Sequence, residues 1–336
     1  MPEYVEYGSL ATVPGPLRCE GVRQWCFPLE ADPDRLDALC RKVFAEPTGG
    51  ELDLRPLGTH VIFTLGRVDR IVSEPDPFDR MGWATEGQSA IWIPVGRVRQ
   101  DGEHLLAEDV LMFTPYMWVD NPISLSSGRE MYGFAKAFGW IELPDSGDED
   151  QAFGLDVFGM NFDRDEDPSR RALLRVARGE RVHELADIAW TALHDAGRHV
   201  RNIVSGGPAK RVGFGLRFAD SVARDLLDGG VRQVFMRQAR AVGDGRQAAL
   251  QQVTEARYRV TSMHGAPLEH EYSIDLSPLD SHPLGAELGL SGRMLTRSAF
   301  RTESTFVLEA GRIAWDSAVS TAGKAEGAAP AIPAGR

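Results

Sequence analysis

Lysine is scarce in this sequence, although arginine is abundant. Only four of the 37 basic residues are lysine, namely Lys42, Lys136, Lys210 and Lys324. Acidic residues number 49, so the formal net charge is −12 at pH 7. Nucleic acids and anionic membrane surfaces favour clustered positive charge, and the sequence has no long basic run. We therefore expect neither nucleic acid nor a membrane as a partner.

Cysteine and long hydrophobic runs are scarce too. The three cysteines, Cys19, Cys26 and Cys40, are odd in number and lack CxxC spacing, which argues against disulfides or a zinc site. We expect buried thiols. No stretch approaches about 18 consecutive apolar residues. Because the opening MPEYVEYGSLATVPG also lacks the features of a signal peptide, we expect a cytoplasmic protein.

Several well-known catalytic motifs are missing as well. The sequence contains no GxSxG of a serine hydrolase and no HExxH of a zinc protease. The glycines around Lys210, in SGGPAKRVGFG, match neither a phosphate-binding loop nor a dinucleotide fingerprint. The bias toward arginine, in turn, makes each of the few lysines more informative.

The spacing of apolar residues predicts a β-rich chain with one helical segment. Strands are predicted at 22–29, 59–68, 89–98, 111–119, 136–143, 153–162, 231–242, 248–263 and 271–276. A short helix is predicted over 34–44, and helical patterns at 181–204 and 218–227 indicate a helical insertion over about 164–230. The last two strands, 298–308 and 312–316, have the spacing of a hairpin. Residues 317–336 are rich in Ala, Gly and Pro, which predicts a disordered tail.

Lys136 lies in the most aromatic run of the chain, GREMYGFAKAFGWIEL at 128–143. If this run is a strand, alternate residues share a face, so Phe134, Phe138 and Trp140 accompany Lys136. Burial disfavours the charged ammonium, and the free amine is the form that attacks carbonyl groups. The same pattern also fits a lysine whose stem packs on aromatic rings while its ammonium reaches water.

Two further side chains are candidates for a site. Glu86, in the predicted turn WATEGQ, is a carboxylate between a tryptophan and a glycine, where it could transfer protons. Arg23 shares a strand face with Trp25 and Phe27, and it could bind a carboxylate through two hydrogen bonds. Taken alone, the two patterns are better explained by an ordinary turn carboxylate and an isolated arginine.

The stretch YMWVDNPISLSSGREMYGFAKAFGW resembles the acetoacetate decarboxylase family, in which an Asp-Asn pair and Gly-Arg-Glu precede a strand with a catalytic lysine. WATEGQ and RQWCFPLEADPDRLDALCRKVF are similar to that family too. The resemblance implies one domain over 1–316, interrupted by the insertion. It also implies a β-rich α+β fold: a closed antiparallel β-barrel of the acetoacetate decarboxylase type with peripheral helices. A homo-oligomer without a cofactor or a metal is expected.

The resemblance also implies roles for individual residues. Lys136 corresponds to the imine-forming lysine, Glu86 to an acid/base glutamate and Arg23 to an arginine beside the substrate. Phe134 and Phe138 are expected to contact the substrate.

The chain departs from the family pattern at two positions. Ala137 stands where the family decarboxylase has a second lysine, and Ile62 where it has a further glutamate. The expected function is a Schiff-base lyase that acts on a small oxo acid in a decarboxylase-like reaction. A pyruvate-type aldolase or dehydratase using the same lysine is an alternative, and a non-catalytic binder of small acids is another.

Overall fold

A computed structural model of the chain describes residues 3–101, 104–144, 153–181, 213–214 and 230–319. The strands are β1 (Leu17–Glu30), β2 (Leu54–Pro56), β3 (His60–Ser73), β4 (Ala84–Asp101), β5 (His104–Ala107), β6 (Leu111–Val119), β7 (Lys136–Glu142), β8 (Phe153–Gly159), β9 (Ser169–Arg181), β10 (Gly213–Phe214), β11 (Gly230–Arg240), β12 (Ala248–Pro267), β13 (His270–Leu276), β14 (Gly292–Thr296), β15 (Phe300–Leu308) and β16 (Arg312–Asp316). The helices are α1 (Pro33–Cys40), α2 (Pro122–Ser127) and α3 (Leu284–Leu288), with π-helical turns at Arg41–Ala45 and Gly128–Tyr132.

Seven of the described strands close into a barrel, which confirms the predicted architecture. Their order is β4, β3, β1, β15, β12, β11 and β6, and β6 pairs back to β4. One pairing, between β6 and β11, is parallel, so the barrel is not antiparallel throughout. A parallel pair needs a long connection rather than a tight turn, and more than a hundred residues separate these two strands in the sequence.

Outside the barrel, a second group of strands extends from β6. It runs in the order β7, β8, β9, β13 and β14, and it begins with a parallel pairing in which Met117 lies opposite Lys136. This pairing joins the predicted lysine strand directly to the barrel wall. No described helix is long and apolar enough to span a bilayer.

Apolar side chains form two main clusters. The larger joins the barrel to α1, α3 and the outer strands, and it includes Phe27, which is fully buried against Phe63, Phe153 and Tyr272. The smaller comprises Leu17, Cys19, Val22, Val68, Ile71, Ala90, Met117, Val119, Tyr132, Phe134, Phe235, Ala256 and Leu308. The cysteines are free and buried, as expected.

The start of α1 follows from its sequence. Asp32 caps the helix, because its Oδ1 accepts hydrogen bonds from the backbone N–H groups of Asp34 and Arg35, at 2.9 and 3.3 Å. Pro33 occupies the first turn, where its missing N–H costs nothing. Leu36 and Leu39 then bury one face of the helix, which confirms the predicted helix.

The predicted closing hairpin is wrong. β15 and β16 do not pair with each other; both pair with β12, through Leu308 opposite Tyr258 and Arg312 opposite Glu255. They therefore follow one another along the same partner strand. The intervening Glu309 donates its backbone N–H to Arg257 O at 2.9 Å, so the chain continues without reversing.

The first part of the predicted helical insertion is also wrong. Residues 169–181 form β9, which pairs with β8 and β13. Leu173, Leu174 and Val176 are buried in this strand despite the charged residues before them. The helical patterns at 182–204 and 218–227 lie outside the described residues, as does the predicted tail beyond 319.

Replacing Phe27 with alanine is expected to lower the free energy of unfolding by about 3–5 kcal/mol, because a buried aromatic side chain leaves a cavity. The matched control is Phe162→Ala, since Phe162 is 73% exposed; its effect is expected to stay within about 0.5 kcal/mol. Urea unfolding measures both variants. Equal effects would show that Phe27 does not anchor the core.

Candidate functional site

A cavity of about 360 Å³ lies among the barrel strands, α2 and the segment that precedes β1. Most of its lining side chains are apolar, and many belong to the smaller apolar cluster. Among the described residues, Lys136 and Glu86 are the charged side chains that line it. Two of the site residues predicted from the sequence, Lys136 and Glu86, thus line the same cavity.

The side chains of Lys136 and Glu86 form a buried ion pair. Lys136 Nζ lies 3.2 Å from Glu86 Oε2, and the two side chains are 7% and 3% exposed. Nζ also donates to Ser124 Oγ at 2.6 Å and to Ser124 O at 3.3 Å. The ammonium is therefore held within the cavity, and the alternative of a lysine that reaches water is corrected.

Glu86 lies on a strand rather than in the predicted turn. It is the third residue of β4 and pairs with Val68 of β3. The strand begins earlier than its apolar pattern indicated, because 84–88 pairs with β3, and Gln88 also pairs with Val119 at the end of β6. The carboxylate is therefore fixed by a barrel strand.

Asp120 and Asn121, which follow β6, hold the backbone on both sides of Glu86. Asp120 Oδ1 accepts from Gly87 N at 2.7 Å, and Asn121 Nδ2 donates to Thr85 O at 2.9 Å. Asn121 Oδ1 also accepts from Ser124 N at 3.1 Å and so caps α2. These two residues connect the strand that carries the carboxylate to the helix that carries Ser124.

Gly128 and Arg129 fix the position of Lys136. A Cβ atom at Gly128 would lie 2.9 Å from Lys136 Cδ and 3.1 Å from Cε, so only glycine leaves room for the lysine stem. Arg129 Nη1 donates to Lys136 O at 2.8 Å. Gly128 therefore leaves space for the side chain of Lys136, and Arg129 holds its backbone.

Phe134 lines the cavity, but Phe138 does not. The ring centroid of Phe134 is 5.6 Å from Lys136 Nζ. Phe138 pairs with Val119, the last residue of β6, and so lies at the end of the ladder, where it is 38% exposed and contacts Trp140. The expected contact between Phe138 and a ligand is therefore corrected.

Arg23 is likewise not brought to the cavity. A bulge on β1 between Cys19 and Val22, with Gly21 at φ +62°, interrupts the alternation of faces. Val22 therefore follows Cys19 in the smaller cluster, while Arg23 points the other way and donates to Asp69 Oδ1 at 3.0 Å. Its predicted face, shared with Trp25 and Phe27, belongs to the larger cluster.

Residues 137 and 62, where the chain departs from the family pattern, both lie away from the cavity lining. Ala137 packs against the larger cluster, and Ile62 is buried with Cys26 and Phe300. Strand alternation correctly predicts that residue 137 faces away from Lys136.

Cys19 is a second potential nucleophile in the cavity, and its environment keeps it inactive. Burial, together with the nearby Glu86 carboxylate, raises the pKa of the Cys19 thiol to about 12. The thiolate is the reactive form of cysteine, so this thiol stays unreactive at neutral pH.

Ser124 is a site residue that sequence reasoning missed. It lies in NPIS, where Asn121 caps a helix and Pro122 occupies its first turn. The cap residue and the proline are a recognisable helix start. This signal could have predicted that Ser124 lies in the first turn of α2, close to the segment that leads to Lys136. It could not have predicted the contact between Ser124 and Nζ.

Comparison with solved structures supports the predicted fold. The acetoacetate decarboxylase of Legionella pneumophila superposes with a TM-score of 0.58 at 16% identity, covering 95% of this chain and 94% of that one. A second acetoacetate decarboxylase structure gives a TM-score of 0.51 at 14% identity, with coverages of 91% and 92%. No family model and no curated protein matches the sequence. The chain has the acetoacetate decarboxylase-like fold.

Gly128→Ala is expected to slow reductive labelling of Lys136 by acetone and borohydride roughly 10²-fold, because the added Cβ displaces the lysine stem. Gly243→Ala is the control, since nothing lies within 4 Å of a Cβ built there. Peptide mass spectrometry measures the labelling. An unchanged rate in Gly128→Ala would show that the stem has room to spare.

Proposed function

We propose that this chain, with the fold of acetoacetate decarboxylase, is a carbon–carbon lyase in which Lys136 forms an imine with the ketone of a β-oxo acid. The observation that supports this proposal most directly is the buried contact between Lys136 Nζ and Glu86 Oε2 at 3.2 Å. A carboxylate at this distance can take a proton from the ammonium, and the free amine is then the nucleophile.

Imine formation needs two proton transfers, and the contacts of Nζ provide for both. Glu86 accepts a proton from Nζ, and the amine then adds to the ketone carbon. Glu86 returns this proton to the ketone oxygen, which gives a carbinolamine, and then carries a second proton from Nζ to the same oxygen. The oxygen leaves as water, and the electron pair of the nitrogen forms the iminium double bond. Ser124 Oγ, at 2.6 Å from Nζ, orients the amine during these steps.

The iminium then serves as the electron acceptor for bond cleavage. When the bond between the α-carbon and the carboxylate breaks, its electron pair moves to the iminium nitrogen and gives an enamine, and carbon dioxide leaves. Protonation of the enamine carbon and addition of water then release the ketone and restore Lys136. Glu86 is the acid/base group nearest to this nitrogen.

The charges of the cavity favour decarboxylation over a pyruvate-type aldol reaction. An aldol enzyme must hold the substrate carboxylate throughout, and arginine is the usual partner for a buried carboxylate. No arginine lines the described part of the cavity, since Arg23 is bound to Asp69 outside it. A desolvated carboxylate is unfavourable there, and its loss as carbon dioxide removes the charge.

Lys136→Arg is expected to abolish the borohydride-trapped adduct with acetoacetate, because a guanidinium forms no imine but keeps a positive charge beside Glu86. Lys42→Arg is the matched control, since Lys42 is an exposed lysine that binds Glu287. Intact and peptide mass spectrometry measures the adduct. An adduct that persists in Lys136→Arg would remove this lysine from the mechanism.

If folded wild-type protein gives no adduct with any oxo acid, the result favours the alternative of a non-catalytic binder of small acids. Circular dichroism and the unfolding midpoint establish folding in every variant. This control separates a lost fold from lost chemistry.

Glu86→Gln is expected to lower the turnover number roughly 10²–10⁴-fold, because the amide cannot carry the proton. The Michaelis constant is expected to change much less, since the amide oxygen still accepts a hydrogen bond from Nζ. Steady-state kinetics on acetoacetate separates the two parameters. A change confined to the Michaelis constant would make Glu86 a binding residue.

A further inference from the structure

One wall of the cavity is apolar across three neighbouring strands. Leu17 of β1 pairs with Leu308 of β15, and Cys19 of β1 lies between Ile71 of β3 and Phe306 of β15. All five side chains line the cavity. Since Cys19 stays protonated at neutral pH, this wall presents no charge to a ligand.

The cavity is larger than a four-carbon oxo acid requires. Its volume of about 360 Å³ lies in the range of roughly 300–1,000 Å³ in which proteins enclose drug-sized organic ligands. A small acid bound at Lys136 would leave much of this apolar space without a partner.

The two charged groups that line the described part of the cavity, Lys136 and Glu86, lie together. Lys136 Nζ binds Glu86 and Ser124, so the reacting carbonyl is fixed beside these groups. The lining also includes Met81 and Trp83, which are 54% and 60% exposed. Their exposure shows that the apolar lining continues to the surface, where a longer chain can extend.

We infer that the β-oxo acids processed here carry an apolar alkyl tail of medium length, which packs along the wall formed by Leu17, Ile71, Phe306 and Leu308. This inference rests on the proposed function and adds the substrate class to it. The carboxylate and ketone lie at Lys136, and the tail occupies the remaining space. The product is then a methyl ketone with the same tail.

The test is a series of straight-chain 3-oxo acids from four to ten carbons. Each buried methylene is expected to raise kcat/KM about fourfold until the tail fills the cavity. A value of kcat/KM that is flat or falls with chain length would overturn the inference. The methyl ketones that correspond to these acids can also be trapped on Lys136 with borohydride. The extent of trapping is a readout that does not depend on decarboxylation.

Ile71→Ala tests the wall directly. It is expected to reduce the preference for the eight-carbon over the four-carbon acid at least about tenfold. Val72→Ala is the matched control, because Val72 is the next residue of β3, is equally buried and does not line the cavity. An unchanged preference in Ile71→Ala, or an equal loss in Val72→Ala, would contradict the assigned tail site.

The two proposals fail in different ways. If no ketone labels Lys136, imine chemistry fails and the substrate class fails with it. If short and long ketones label Lys136 equally well, imine chemistry stands and the tail site alone is refuted.

Discussion

A buried charge needs a partner, and the contact between Lys136 and Glu86 meets that requirement inside an apolar cavity. Removing either partner leaves the other charge desolvated, which costs several kcal/mol in proteins. Hydrogen bonds from neighbouring residues hold Lys136 and the strand of Glu86 in place beside each other. The proposed chemistry depends on the same contact, since the carboxylate that neutralises the ammonium lies within hydrogen-bond distance of its protons.

Glu86 and Lys136 lie 50 residues apart in the sequence, and one segment between them holds both in place. β4 carries Glu86, and the amide of Asn121 bonds both to that strand and to the first turn of α2. The π-helical turn after α2 then supplies Gly128 and Arg129 to Lys136. A single continuous stretch, 120–136, thus contains the residues that connect the carboxylate to the amine.

Local signals in the sequence predict most barrel strands and single out the lysine that proves to be buried, whereas the closed barrel is predicted by the family resemblance. Strand periodicity locates most barrel strands, and the scarcity of lysine draws attention to Lys136. The positions of Arg23 and Phe138 depend instead on pairing between strands: a bulge turns the first away, and the end of β6 leaves the second exposed. Local patterns contain no information about either.

The closing strands illustrate the same limit. Glu309, Ala310 and Gly311 have the composition of a turn, but β12 is long enough to pair with the strands on both sides of them. A partner strand can thus override a local preference for reversal. Prediction from the sequence of one segment fails where pairing with another strand determines whether the chain turns.

The bulge at Gly21 decides which side chains of β1 face the cavity and which face the larger apolar cluster. Regular pairing of β1 at the same length would place Arg23, Trp25 and Phe27 on the cavity side of the strand. The two aromatic residues would then leave the larger cluster, of which Phe27 is a fully buried member. Removing the bulge to bring Arg23 into the cavity would therefore also take Phe27 out of the core. At this position, the charge of the cavity cannot be changed without changing the packing of the core.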